Sequence, residues 1–265
     1  MPTSRRGTAP TITLRVHLLN GFRVDVAQQE VMLPAHAQRV LAYLALSRPT
    51  AGAPMRRTPL AELLWGDGTS QRAQASLRTS LWRIRQAHVG LVHADRERVH
   101  LGEGVEVDVE RSLAQADRLL RADRDLEARD TSIADLVADL LPGWEEEWLL
   151  LERERIRQVR IHALEALAHR QCRLGRIVPA LDAAYAAIAA EPLRESAHAS
   201  LVEIHLAQGN VVEARRQVDQ YARLLWAEMR LRPSAVLVAR VSADCAVPAP
   251  RSPVHERRVD QPRSS

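Results

Sequence analysis

The apolar positions of the first part of the chain alternate with polar ones. Ile12, Leu14, Val16 and Leu18 recur at every second residue, Phe22, Val24 and Val26 repeat the pattern, and Val31 and Leu33 end it before Pro34. A period of two is that of strands with one buried face. Asn20-Gly21 between the first two runs predicts a two-residue hairpin turn, since both positions accept positive φ. Residues 12–34 thus predict a small antiparallel sheet of about three strands.

From residue 35 the spacing changes to three and four. Val40, Leu41, Leu44 and Leu46 give residues 35–48 the stripe of an amphipathic helix. A loop with Pro49, Gly52 and Pro54 follows. Thr58 is the expected cap of a short helix with Pro59 at its first position and Leu60, Leu63 and Leu64 facing inward. After a turn at Trp65–Gly68, a longer helix is expected over 70–88, with Ala73, Leu77, Leu81, Ile84 and His88 on its core face. Two strand-like runs, 91–94 and 98–101, flank a polar turn at 95–97. Sheet, helix, helix–turn–helix and hairpin, in that order, describe a winged helix, whose second helix stands proud of the fold and whose hairpin is the wing.

Past residue 108 the alternation stops. Helical patterns are expected over 109–129, 131–141, 144–174, 177–190, 193–208 and 210–231. Gly175-Arg176-Ile177-Val178-Pro179-Ala180 resembles Gly209-Asn210-Val211-Val212-Glu213-Ala214, and Leu167/Leu201 and Ala184/Val218 match in class at the same offset of 34. That period, with helix–turn–helix units, is the tetratricopeptide spacing. The fold class is therefore mainly α: a winged helix-turn-helix with its sheet and wing, then a TPR-like all-helical domain. The expected division is 1–11 as a disordered N-terminus, 12–108 and 109–242 as the two domains, and 243–265 as a disordered tail rich in proline and arginine.

Composition narrows the function. All 37 of the Lys+Arg residues are Arg. Without lysine there is no P-loop and no Schiff-base chemistry. No Ser-His-Asp or paired-carboxylate arrangement stands out, so the chain reads as no enzyme. The two cysteines, Cys172 and Cys245, lack ligand-spaced partners, and His88, His93 and His100 are spread over a helix end and two strands. No cofactor and no metal are expected. No apolar run approaches the roughly 18–20 residues of a membrane helix, and no secretory signal follows Met1–Pro10, so a cytoplasmic location is expected. Residues 1–108 carry 14 Arg and 9 acids, +5, whereas 109–242 carry 19 and 21, −2. The basic excess falls on the winged helix, as a polyanion partner requires.

The outer face of the 70–88 helix sharpens this. Arg72, Ser76, Arg78, Thr79, Trp82, Arg83, Arg85 and Gln86 lie there with no acid among them. An ordinary exposed helix mixes Glu with Arg. An all-positive face repels itself unless phosphates neutralise it, and arginine also reads guanine with two hydrogen bonds. Arg96 and Arg98 in the wing have two readings, contact with a groove or phosphate and a charged tip that keeps the hairpin soluble. Trp144 and Trp148, four apart around an acidic helix start, read as core packing or as a partner surface.

Leu19–Val24, Gln38–Ala45, Leu60–Trp65 and Ala75–Arg85 resemble the SARP family, antibiotic regulatory proteins of actinomycete type. Val105–Val109 looks like the junction of that family. Leu141–Trp144, Leu150–Arg155 and Glu191–Glu195 resemble its bacterial transcriptional activator domain. The resemblance implies an OmpR-type winged helix that binds direct repeats in promoter DNA, usually as two head-to-tail protomers, and recruits RNA polymerase holoenzyme. It implies an activator of secondary-metabolite, including antibiotic-biosynthesis, gene clusters, acting in the nucleoid. By position, Arg83 and Arg85 match the arginines such helices direct to base and phosphate, and Arg72, Arg78 and Thr79 accompany them. Two departures stand out. The loop at 49–57 is Pro-rich and carries Arg56 and Arg57, candidates for contact with polymerase or DNA. Gln86–Gly90 lacks the usual leucine, which leaves the start of the wing open. The rival reading is a scaffold whose helical repeats hold a peptide and whose basic helix is incidental.

Overall fold

The structure is a computed structural model that describes residues 12–51, 54–121 and 132–243. The expected N-terminal and C-terminal tails lie outside the described residues, apart from Ala243. The alternation at the start forms strands β1 (Leu14–His17), β2 (Arg23–Val26) and β3 (Gln29–Glu30). Leu14, Val16 and Val24 are buried, the inward half of the pattern.

The turns differ from expectation. His17 pairs with Arg23, so Asn20-Gly21 sits inside a five-residue connection and is not a tight hairpin turn. The reason is a competing partner: Asn20 N donates to the Asp139 carbonyl at 2.8 Å, and Leu19 bridges Leu140. The two-residue turn lies one hairpin later, at Ala27-Gln28 between paired Val26 and Gln29. Both turn residues have positive φ, 51° and 66°. Neither is a residue type that favours that region, at a cost of ~1–2 kcal/mol each.

Helix α1 (Ala35–Ala51) runs past Pro49, where a loop was expected. Strand β4 (Met55–Arg56) leads into α2 (Arg57–Leu64). Arg56, not Thr58, is the N-cap, and no side chain closes that helix start. Leu60 and Leu64 are buried as expected, but Leu63 is exposed. Helix α3 (Ser70–Ala87) is capped by Thr69, whose hydroxyl accepts from Arg72 N at 3.4 Å. Its Ala73, Leu77, Leu81 and Ile84 are buried against α1 and the sheet. The Ser80 hydroxyl donates to the carbonyl of Ser76 at 2.8 Å and also lies 3.2 Å from that of His36 in α1. Strands β5 (Val92–Ala94) and β6 (Arg98–Leu101) form the wing hairpin, and β4 joins its outer edge in the order β4-β6-β5. Strand β7 (Val105–Val107) then returns to lie parallel to β1, with Leu14 opposite Val105. The first sheet is therefore four-stranded and mixed, β3-β2-β1-β7, where a purely antiparallel one was expected.

The helical part follows: α4 (Asp108–Leu120), α5 (Ala134–Val137), α6 (Glu147–Arg173), α7 (Ile177–Ala190), α8 (Glu195–Ala207), α9 (Val211–Met229) and α10 (Ala235–Ala243). The expected 109–129 helix is seen to Leu120, and its remainder falls largely outside the described residues. The expected 131–141 helix is a single turn, and α10 was not foreseen. The 34-residue period is real in three dimensions. Gly175 and Gly209 both end a helix at φ of 70° and 74°. Arg176 N bonds the Gln171 carbonyl, and 34 residues on Asn210 N bonds that of His205, both at 2.9 Å. This is the Schellman closure that glycine permits without strain. Ala180, Ala183, Ala184 and Ala187 give α7 a buried face of small side chains against α6 and α8.

Packing is continuous across the chain's midpoint. The Asp108 carboxylate, buried at the start of α4, accepts from the backbone N–H of Leu18, Leu19 and Val109 at 2.8–3.1 Å. Leu140, Leu141, Leu149 and Ile156 share one core with the first sheet and α1. Trp144 stacks on Phe22 with centroids 5.9 Å apart, and Trp148 meets Tyr43 edge-on at 5.1 Å. Arg39 pairs with Glu146 at 2.7 Å, and the same carboxylate accepts from the Trp148 indole at 3.1 Å. Both tryptophans are packing groups that join the helical part to the first sheet and α1.

Candidate nucleic-acid interface

The five buried side chains of α3, Ala73, Leu77, Ser80, Leu81 and Ile84, fix which residues can face out. Residues 72, 78, 79, 82, 83, 85 and 86 are all exposed, and Ser76 is half-buried. Among the described residues, Arg72, Arg78 and Arg83 make no ion pair and donate no side-chain hydrogen bond. The Arg83 guanidinium lies 4.8 Å from the centroid of the Trp82 ring, which is itself 52% exposed. Stacking of this kind presents the fork without neutralising it. The Thr79 hydroxyl is turned back onto the Ala75 carbonyl at 3.1 Å.

Arg85 is different from its neighbours. Its Nη2 donates to the Ala94 carbonyl at 2.8 Å, so it ties the end of α3 to strand β5. A second tie comes from the start of α2. Arg57 Nη1 donates to the Asp95 carbonyl, and Arg57 N to the Glu97 carbonyl, each at 2.8 Å. The turn itself is closed by Asp95, whose Oδ1 accepts from Glu97 N and Arg98 N at 2.7 Å. The backbone N–H groups of Arg98 and Glu97, with smaller help from the charges of Arg98 and Arg57, hold this carboxyl below its usual pKa. The tip thereby directs Arg96 and Arg98 outward, and both are exposed.

The sequence-derived residues fall in two sets, linked through the bond of Arg85 to Ala94. Arg72, Arg78, Thr79 and Arg83 line α3, and Arg96 and Arg98 lie on the wing that Arg85 pins beside it. Arg56 is exposed on β4 opposite Arg98, whereas Arg57 is used up in holding the wing. The roles of Arg57 and Asp95 escaped the sequence reading. An Asp that opens a polar turn between two strand-like runs closes it onto the backbone N–H groups that follow, and it carried the signal for the second. His93 and His100 face each other across the hairpin at 5.3 Å, and the His88 ring accepts from Gly90 N at 3.0 Å. Among the described residues no helix is long and apolar enough to cross a membrane.

The family described as Bacterial transcriptional activator domain matches residues 98–243. Among solved structures, that of Mycobacterium tuberculosis EmbR in complex with low affinity phosphopeptide aligns with a TM-score of 0.69 and 17% sequence identity. The alignment covers 87% of this chain and 64% of that one, so this chain spans less than two thirds of it. At that identity the likeness is one of fold, a winged helix followed by TPR-like helices. No curated protein matches the chain. The matched segment begins in the wing and runs through α10, more than half of the residues, and the chain belongs to the bacterial transcriptional activator domain family of transcriptional regulators.

Proposed function

We propose that this regulator is a sequence-specific DNA-binding activator. The observation that carries the reading is the exposed, acid-free arginine face of α3 with a wing fixed beside it. Residues 12–108 form the DNA-reading unit and 109–242 the unit that meets the transcription machinery. Arg83 reads base edges in the major groove. Arg72, Arg78 and Thr79 contact base or phosphate on the same face, and Arg96 and Arg98 contact the backbone or the adjacent minor groove. Arg85 serves chiefly by placing the wing. Two protomers occupy a direct repeat in a promoter and recruit RNA polymerase holoenzyme, with a secondary-metabolite gene cluster as the regulated target. This places the protein in the cytoplasm, at the nucleoid, with no cofactor.

Binding of the purified chain to promoter fragments across a salt series tests this. Each phosphate-contacting arginine contributes about −0.9 to the slope of log K against log salt. Arg78→Glu with Arg83→Glu is expected to abolish specific binding and flatten the slope. Unchanged binding by that double variant would instead support the scaffold reading.

A further inference from the structure

A second surface lies at the far end of the helical array. The C-terminal half of α9, the connection 230–234 and α10 enclose an open groove of about 440 Å³. Its floor is Trp226, Leu231, Pro233 and Val238, and its rim carries Arg223 and Arg232. Trp226 is 49% exposed, and the Arg230 guanidinium lies 5.9 Å from its ring centroid. Among the described residues no acid lines the groove. Among the described residues, Arg223, Arg230 and Arg232 make no ion pair, whereas Arg155, Arg157, Arg194, Arg216 and Arg240 of the same helical part each hold a glutamate. Apolar surface ringed by unpaired cations is an interface composition, with Trp and Arg the residue types that anchor binding.

We infer that this groove docks an acidic amphipathic helix of a protein partner, its apolar side chains on Trp226, Leu231 and Val238 and its carboxylates on Arg223, Arg230 and Arg232. Charge decides among occupants. A second copy related by a two-fold axis would bring two arginine rims together. Residues 244–265 of this chain carry four arginines against three acids and so lack the complement. A nucleic acid offers little aliphatic surface for Leu231, Pro233 and Val238. An acidic helix satisfies both floor and rim.

The test pans a display library of random 16-residue peptides against the full chain, then measures the enriched peptides against Trp226→Ala and against Arg223→Glu with Arg232→Glu. Both changes are at exposed positions, and a thermal melt checks that the variants fold. The expected result is enrichment of acidic peptides with apolar residues at three- and four-residue spacing, each losing roughly 10-fold or more in affinity to both variants. Enrichment without acidic bias, binding that survives both variants, or no enrichment overturns the inference. So does displacement of the peptides by a single-stranded oligonucleotide, or a dimer in sedimentation that Trp226→Ala converts to monomer.

Discussion

The guanidinium of Arg85 donates to the carbonyl oxygen of Ala94 at 2.8 Å and so couples the last turn of α3 to the wing. Arg83, two residues earlier, lies over the exposed ring of Trp82 and has no such tie. Two arginines that look equivalent in the sequence are therefore held differently, and separable roles are predicted for them. Arg83→Ala is expected to cost ~1–3 kcal/mol of DNA binding and to relax base choice at one position. Arg85→Ala is expected to weaken binding without changing base preference and to speed amide exchange at residues 95–98. Selection of binding sites by both variants, alongside hydrogen exchange, separates the two.

Asp108 closes the junction between sheet and helices. Its buried carboxylate serves the N–H groups of Leu18, Leu19 and Val109. Asp108→Ala strands these donors, each at ~1–3 kcal/mol if it stays dry. The expected loss in urea unfolding is at least that of one donor. Asp108→Asn keeps one acceptor oxygen and should lose less. Equal stability of wild type and Asp108→Ala would show that water replaces the carboxylate.

Much of this was legible in the sequence, for identifiable reasons. The face of α3 follows from spacing alone, because Ala73, Leu77, Leu81 and Ile84 leave only one way for the arginines to point. The glycines at 175 and 209 marked the repeat because their backbone requirement is local. What escaped reading depends on distant partners. Strand β7 is three residues long and pairs with β1 some 90 positions earlier, a relation that no local period encodes. Asn20-Gly21 has the residues of a tight turn, yet the Asp139 carbonyl claims its backbone. Leu63 looks like a core residue beside Leu64 but faces a cleft with Met55 and Trp148. The tie of Arg85 to the wing is invisible because its acceptor is a carbonyl, which every residue has.

Trp144 and Trp148 hold the helical part to Phe22 and Tyr43, with Glu146 bridging Arg39 and Trp148. Both rings are partly buried, so truncation should cost somewhat less than the ~3–5 kcal/mol of a fully buried tryptophan. Trp144→Ala with Trp148→Ala is expected to split a single calorimetric transition into two. A single transition merely shifted in temperature would show that the remaining core of Leu140, Leu141, Leu149 and Ile156 carries the coupling.

His198 makes stability pH-dependent. Its Nε2 donates to the Pro192 carbonyl at 2.8 Å, Gln217 Nε2 donates to its Nδ1 at 2.7 Å, and the ring stacks on Tyr221. Burial holds its pKa below the ordinary 6.5, against the opposing effects of the Pro192 carbonyl and Glu195. The unfolded chain then binds a proton over a window in which the folded one does not. Stability is therefore full above about 6.5 and falls as pH drops from there toward the folded-state value. Urea midpoints from pH 8 to 5 are expected to decline in the wild type and to decline less in His198→Gln. Parallel curves would assign the loss to other groups, His169 first among them, since burial lowers its pKa too.

The central claim is that the arginine face of α3 reads DNA sequence. Its most direct test is selection of pooled genomic fragments by the purified full chain, with the bound DNA sequenced and binding repeated across a salt series. The expected result is enrichment of a short direct repeat spaced near one helical turn, with a steep negative salt slope that Arg78→Glu with Arg83→Glu flattens. Weak, sequence-blind binding that this double variant leaves unchanged would contradict the account.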